Sequence, residues 1–264
     1  MSRNSLKSVC RLINSVQQEI PIEKQFLGDL KRSIELTDKA NSRKPSQTYK
    51  PSSMNCIRNM YYQRTGAEVI DEPNAVLIGI CETGTDRHKR VQDAISHMKD
   101  NGIDCEYIDV EKYIKSRNIA YIKVVSKEDY ETKLWCEKLQ MSFMCDGIIR
   151  YKSKYYIIEI KTESAYKWTD RKGVAEVHKN QATAYSMSIG IDDVIFIYIS
   201  RDTCDMKTFI YTPTPEEKDE LQSKIMMCEK YVHRQELPPK PIDITSKTCQ
   251  YCGYKELCNA ERVE

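Results

Sequence analysis

The sequence predicts an α/β fold: a mixed central β-sheet flanked by helices, with a helical extension at the N-terminal side and a cysteine-bearing loop at the C-terminal side. Three observations predict it. Residues 194–199 (Val-Ile-Phe-Ile-Tyr-Ile) form a continuous apolar run rich in β-branched side chains, the pattern of a strand buried on both faces. Residues 143–151 and 155–161, rich in Ile, Tyr and Phe, flank Lys152-Ser153-Lys154 as the two arms of a hairpin. Polar segments with apolar residues at helical spacing lie between such strands, and 264 residues that are 40% hydrophobic suffice for one large α/β domain plus an appendage.

Taken in order, residues 1–48 read as a helical extension and linker, and residues 49–264 as the main domain. Within the extension, Val9, Leu12, Ile13 and Val16 follow the helical period, and Pro21 breaks residues 5–40 into two helices. Residues 41–50 are a linker rich in Ser, Lys and Pro. Thr83 or Thr85 is placed to cap a helix running to about Asp100, with Gly102 as its stop. His88, Val91, Gln92 and Ile95 share one face of that helix by the i, i+3, i+4, i+7 rule. Residues 119–125 read as a strand, and residues 208–211 as the partner of residues 194–199. Residues 213–231 read as a helix, after which Pro238, Pro239 and Pro241 stiffen an extended arm that carries the last cysteines back toward Cys56.

The hairpin carries the chemistry. Side chains alternate along a strand, so Glu159 and Lys161 point to one face and Ile158 and Ile160 to the other. A two-residue turn at Lys152-Ser153 pairs Tyr151 with Lys154, and counting outward from that pair places Asp146 opposite Glu159 on the same face. A slip of one residue separates them, so the reading depends on register. Two carboxylates side by side suit Mg²⁺ or Mn²⁺, hard cations that prefer oxygen ligands. Lys161 is then placed to orient a water or to stabilise charge developing on a phosphate. Gln181 and Tyr185, four residues apart, are neighbours on one helix face. His97, His178 and His233 lack comparable support, and His178 reads as a solvated polar residue.

The second signal is Cys249, Cys252 and Cys258, a C-x₂-C-x₅-C spacing that lets one short loop wrap a metal centre. Cys56 is the best candidate for a fourth thiolate. Four thiolates suit zinc and an iron–sulfur cluster alike. The remaining cysteines (Cys10, Cys81, Cys105, Cys136, Cys145, Cys204 and Cys228) are scattered and read as reduced, mostly buried small hydrophobes.

Together these pieces resemble the RecB-like nucleases of the PD-(D/E)xK superfamily, in the iron–sulfur branch that includes CRISPR-associated RecB-like exonucleases. The resemblance spans roughly residues 49–260. It rests on Cys56 with Arg58, Tyr61 and Tyr62; on Gly84-Thr85-Asp86-Arg87-His88; on Asp146-Gly147 with Glu159-Ile160-Lys161; and on Gln181 and Tyr185 ahead of the cysteine trio. It implies a restriction-endonuclease-like core and a divalent cation held by His88, Asp146, Glu159 and the Ile160 carbonyl. Lys161 becomes the catalytic lysine, Gln181 and Tyr185 active-site supports or DNA contacts, and Cys56, Cys249, Cys252 and Cys258 the ligands of a [4Fe–4S] cluster. One departure is Cys145, where the superfamily's name has proline.

The implied activity is a metal-dependent deoxyribonuclease, an exonuclease on single-stranded DNA in recombination, repair, phage DNA metabolism or CRISPR adaptation. The alternative is a non-catalytic iron–sulfur DNA-binding subunit of a larger nucleic-acid-processing complex. In a separate reading the chain is chiefly a subunit that docks on a protein partner through residues 1–45 and keeps its own cutting. A net charge of +2 argues against bulk electrostatic coating of DNA. Residues 152–179 are nonetheless locally basic, with Tyr155, Tyr156, Tyr166 and Trp168 interleaved, the composition of a single-strand channel. No G-x-x-x-x-G-K-[ST] run occurs, so a P-loop is absent from the sequence. No apolar stretch approaches ~20 residues. The lack of a signal-like start and the irregular cysteine spacing predict a cytoplasmic protein in a reducing compartment.

Overall fold

A computed structural model describes residues 20–41, 45–240 and 247–260. The chain divides into two compact units, Met1–Arg43 with Pro73–Ile80, and Lys44–Glu72 with Cys81–Glu264. In the first, helix α1 (Ile22–Asn41) has Glu23 in its first turn and Lys39 in its last, both favourable to the helix dipole. Its Glu35 carboxylate accepts the Ala75 N–H at 2.9 Å, and Ile78 is buried. The expected helix within residues 5–19 and the arm beyond Lys240 fall outside the described residues. Among the described residues no helix is long and apolar enough to cross a membrane.

The second unit is the α/β body that the sequence predicts. After a 3₁₀ turn (Pro51–Ser53) come α2 (Ile57–Thr65), α3 (Ala75–Ser96, shared with the first unit), β1 (Cys105–Ile108) and α4 (Val110–Ser116). Then follow β2 (Ile122–Glu128), β3 (Glu131–Cys136), β4 (Met141–Cys145), β5 (Gly147–Tyr151) and β6 (Lys154–Glu163). The chain continues through α5 (Ala165–Thr169), α6 (Glu176–Ile189), β7 (Val194–Ser200), β8 (Met206–Tyr211) and α7 (Pro215–Arg234) to the short α8 (Lys247–Gln250) and α9 (Lys255–Ala260).

Five strands form the central sheet in the order β1-β5-β6-β7-β8, antiparallel except where β6 and β7 run parallel, so the sheet is mixed. Strands β2-β3-β4 form a separate antiparallel sheet. Alternation along β6 divides the core. Ile157 packs with Tyr185, Phe196 and Ile225 in one apolar cluster, while Ile158 and Ile160 pack with Ile95, Ile197 and Ile199 in another.

Several expected boundaries move. Residues 143–151 are not one strand: the chain leaves the small sheet at Cys145 and enters the central one at Gly147. Gly147 has φ +158°, and a Cβ there would lie 2.6 Å from the Tyr107 hydroxyl, so this crossing point needs glycine. Helix α3 begins at Ala75 rather than near Thr83, because the apolar residues 75–80 continue its pattern and Asn74 accepts the Leu77 N–H. Thr85 sits inside the helix with its hydroxyl on the Cys81 carbonyl. The strand expected at 119–125 begins only at Ile122. Tyr49, expected in a linker, is fully buried, pairs with Met141 and donates its hydroxyl to Glu229.

Candidate active site

The hairpin register is the one that brings the carboxylates together. Tyr151 pairs with Lys154 and Gly147 with Ile158, so the next position out sets Asp146 against Glu159. Lys152 and Ser153 both take positive φ (46° and 68°), the left-handed pair that a two-residue hairpin turn requires.

Asp146 is fixed from several sides. One carboxylate oxygen (Oδ2) accepts the Ile160 N–H at 2.5 Å, and the other lies 3.2 Å from His88 Nδ1. Its backbone carbonyl accepts from Gln92 Nε2 at 2.7 Å and from the Tyr107 hydroxyl at 3.0 Å. Glu159 accepts from Lys161 Nζ at 2.5 Å and from Gln181 Nε2 at 2.6 Å. The Gln181 carbonyl oxygen accepts from Lys161 at 3.0 Å, and its amide also reaches the Tyr185 hydroxyl at 2.8 Å. Tyr185 in turn donates to the Met144 carbonyl at 3.0 Å. Each side chain is held by another before it could touch a substrate, the arrangement that keeps a reactive geometry fixed. His88 enters from α3, Gln181 and Tyr185 from α6, and the rest from the ends of β4 and β6. Tyr185 also packs on Phe143, so it fills core as well.

The electrostatics are strained. Burial pushes the Glu159 carboxyl up to about 7, against the pull of Lys161 and with a further push from Asp146. Burial opposes a charged His88, yet the hydrogen bond and charge of Asp146 outweigh it and raise its pKa. The Cys145 thiol is pushed up to about 12, by burial and then by the charges of Asp146 and Glu159. A buried carboxylate whose charged form is disfavoured by burial and by a neighbouring carboxylate is the environment a cation relieves.

Among the described residues, no three His, Cys, Asp or Glu side chains are disposed to hold a metal ion as they stand. In donor chemistry the residues fit one. Asp146 and Glu159 offer oxygens and His88 a ring nitrogen beside Ile160, and their present bonds are to one another. The thiols form a second candidate centre. Cys56 precedes α2, Cys249 is in α8, Cys252 lies between α8 and α9, and Cys258 is in α9. Burial raises the Cys252 thiol, followed among its neighbours by the charges of Cys56, Cys249 and Cys258, so the four are electrostatic neighbours. Arg58 and Asn59 point N–H groups at the sulfurs of Cys258 (3.4 Å) and Cys252 (3.5 Å), donors of the kind that stabilise thiolate charge. Of the remaining cysteines described, Cys105, Cys136, Cys145 and Cys228 are buried, while Cys81 and Cys204 are exposed.

Some residues behave differently from the sequence reading. His178 is not solvated: its ring stacks near those of Phe196 and Tyr198, and its Nδ1 lies 2.9 Å from the Tyr198 hydroxyl. Burial, then the charge of Lys161, lowers its pKa to about 3. The basic segment 152–179 is not one surface. Tyr155 packs with Tyr113, and Trp168 donates its indole N–H to the Tyr198 carbonyl. An open cavity of about 640 Å³ lies at the other end of β6, beside Tyr155, Lys154 and Asp193, and none of the site residues lines it.

Glu131 was not legible in advance. Thr132 pairs with Cys145, so Glu131 lies across from Asp146. Burial and then the Asp146 charge raise its pKa, with His88 pulling the other way. Finding it requires the β3–β4 register, which is set by a turn where Gln140 takes φ 49°.

No protein-family profile matches the sequence, and no curated protein does. Among solved structures the chain is similar to that of the crystal structure of SSO0001, at 14% identity over 90% of this chain and 98% of that one, with a TM-score of 0.48. It is also similar to LHK-Exo in complex with dAMP, at 13% identity over 72% and 89% with a TM-score of 0.41. A second structure of that alkaline exonuclease, from Laribacter hongkongensis, is 10% identical over 72% and 90%, with a TM-score of 0.35. At these scores the likenesses carry no argument about activity.

Proposed function

We propose that this chain is a divalent-metal-dependent deoxyribonuclease, an exonuclease on single-stranded DNA of the RecB-like, iron–sulfur type. The observation that carries the reading is the convergence of Asp146, Glu159 and Lys161, with His88, Gln181 and Tyr185, where one sheet hands the chain to the other. A buried pair of carboxylates joined to an ammonium is costly as pure structure, and it suits phosphodiester hydrolysis.

His88, Asp146, Glu159 and the backbone at Ile160 would hold Mg²⁺ or Mn²⁺, which when bound supplies charge to polarise a phosphate and acidify a water. Lys161, anchored by Glu159 and Gln181, offers its remaining N–H to the attacking water or to a phosphate oxygen. Gln181 fixes the Glu159 carboxylate, and Tyr185 fixes Gln181. Cys56, Cys249, Cys252 and Cys258 would hold a [4Fe–4S] cluster, or zinc in its place. A cluster joining Cys56 to the last cysteines would act as a structural staple. The cytoplasm is the compartment that suits reduced cysteines of this kind.

Protein purified without oxygen tests the reading. Wild type and Lys161→Ala are compared on end-labelled single-stranded DNA with Mn²⁺, Mg²⁺ or chelator. Metal-dependent shortening that the variant loses is the expected result, and equal cutting by both, or none by either with DNA still bound, overturns it.

A further inference from the structure

We propose that the outer face of the β2-β3-β4 sheet is the path by which a single DNA strand reaches the site, with Trp135 as its stacking platform. The proposal rests on the nuclease reading and names its substrate surface.

Register defines the face. Thr132, Leu134 and Cys136 pair with Cys145, Phe143 and Met141, and of these six all are buried against the core. The intervening side chains therefore point the other way: Lys133 beside Met144, and Trp135 beside Ser142. On β2, Lys123 lies opposite Trp135 and Ser126 opposite Lys133, on that same outer face. Asp146 follows the last residue of β4, two positions on from Met144, so the row leads toward the carboxylates where the chain crosses between sheets. At about 3.3 Å per residue, Met144 lies ~7 Å and Trp135, beside Ser142, ~13 Å from Asp146 along the strand direction.

Among the described residues neither Lys123 nor Lys133 has an ion-pair partner, and the Trp135 indole N–H has no hydrogen bond. Met144 is 47% exposed. The molecule's other tryptophan makes the contrast: Trp168 is bonded to Tyr198, and Lys207 lies 4.2 Å over its ring. The nearby lysines outside the row are also engaged, Lys89 with Asp129 and Lys127 with Asp109. A half-buried aromatic ring with one lysine across the ladder and another two residues along its own strand matches a base stacked on a platform with flanking phosphates contacted by lysine. Duplex DNA cannot offer an unstacked base to that ring, so the chemistry selects a single strand.

The test uses holoprotein in chelator, where binding is read without cutting. Binding of a fluorescent oligothymidylate is measured by anisotropy for wild type, Trp135→Ala and Trp135→Phe, with a blunt duplex as comparison. Trp135→Ala is expected to weaken single-strand binding about tenfold, with Trp135→Phe retaining most of it. Tryptophan emission should be quenched by the oligonucleotide in wild type and unaffected in Trp135→Phe, whose remaining tryptophan is Trp168. Should Trp135→Ala fail to fold, Lys123→Glu with Lys133→Glu replaces it, and a clear loss of affinity is again expected. Wild-type affinity in these variants, quenching that persists in Trp135→Phe, or equal binding of duplex overturns the path. If Lys161→Ala abolishes cutting while these variants bind normally, the path alone falls. If wild type binds no single strand at all, the nuclease reading falls with it.

Discussion

Strand β6 carries two lysine–carboxylate pairs, and they behave in opposite ways. At its outer end Lys154, 61% exposed, meets Asp193; at its inner end Lys161, 22% exposed, meets Glu159, which is 4% exposed. Partial burial works against an ionised Asp193 too, but Lys154 and Thr212 overcome it and the pKa falls. At Glu159 burial wins over Lys161, a second carboxylate adds to it, and the pKa rises. Identical partner types thus give a surface fastening at one end and a strained, reactive arrangement at the other. Desolvation and the neighbouring charge decide, not the pairing itself.

The largest effect belongs to the inner pair. Glu159→Gln keeps the shape and the Gln181 contact but removes the charge, and should lower metal-dependent cutting on the order of 10³-fold. Its effect on stability should run the other way. With a folded pKa of about 7 against an ordinary 4.5, the metal-free folded chain keeps a proton that the unfolded chain releases. The stability this gives is present below pH 4.5 and is lost as pH rises to about 7. Denaturant titrations across that window should show wild type losing stability relative to Glu159→Gln as pH rises, with the His178 contribution common to both chains. The same decline in both would mean that another group carries it.

Next comes the crossing that delivers Asp146. Gly147→Ala puts a Cβ against Tyr107, whose hydroxyl bonds both the Asp146 and the Tyr130 carbonyls. A loss of about 3 kcal/mol is expected; a change under about 1 kcal/mol would show that Tyr107 yields freely. This position also marks where sequence reading stops. The hairpin was legible because its turn residues and alternating strands fix register locally, and register put Asp146 beside Glu159. The helix pairing of Gln181 with Tyr185 followed from spacing for the same reason. The split of residues 143–151 between two sheets left no local trace, because an apolar strand reads alike in either sheet. Glu131 and the outer row of Trp135 depend on a pairing set by the β3–β4 turn. His178 was misread because its polarity carries no information about the Phe196 and Tyr198 rings that enclose it.

That histidine sharpens the comparison, being a half-buried titratable group with no carboxylate partner among the described residues. Tyr198 accepts the Ala175 N–H at 3.0 Å, which leaves its own hydroxyl to donate to a neutral His178 Nδ1. With a folded pKa of about 3 against 6.5, the unfolded chain gains a proton first as the solution is acidified. Stability is therefore lost from pH 6.5 downward, about 2 kcal/mol of it by pH 5. His178→Phe should remove that acid-side loss while lowering stability at pH 7, because the Tyr198 hydroxyl proton loses its acceptor. The difference between the two chains at pH 5 and pH 7 is the quantity to measure, and no difference would place the acid sensitivity elsewhere.

The smallest effect is expected at the outer pair. Lys154→Ala leaves Asp193 bonded to Thr212, and it leaves the Asp193 carbonyl on the Ile157 N–H, so the strand end stays fixed. An exposed ammonium gives up nearly as much hydration on pairing as it gains in attraction. The unfolding midpoint should move by under about two degrees, and cutting should be unchanged. A large shift would mean that the outer pair resembles the inner one after all. It would then be the lysine contact, rather than burial beside a second carboxylate, that sets the energetics along β6.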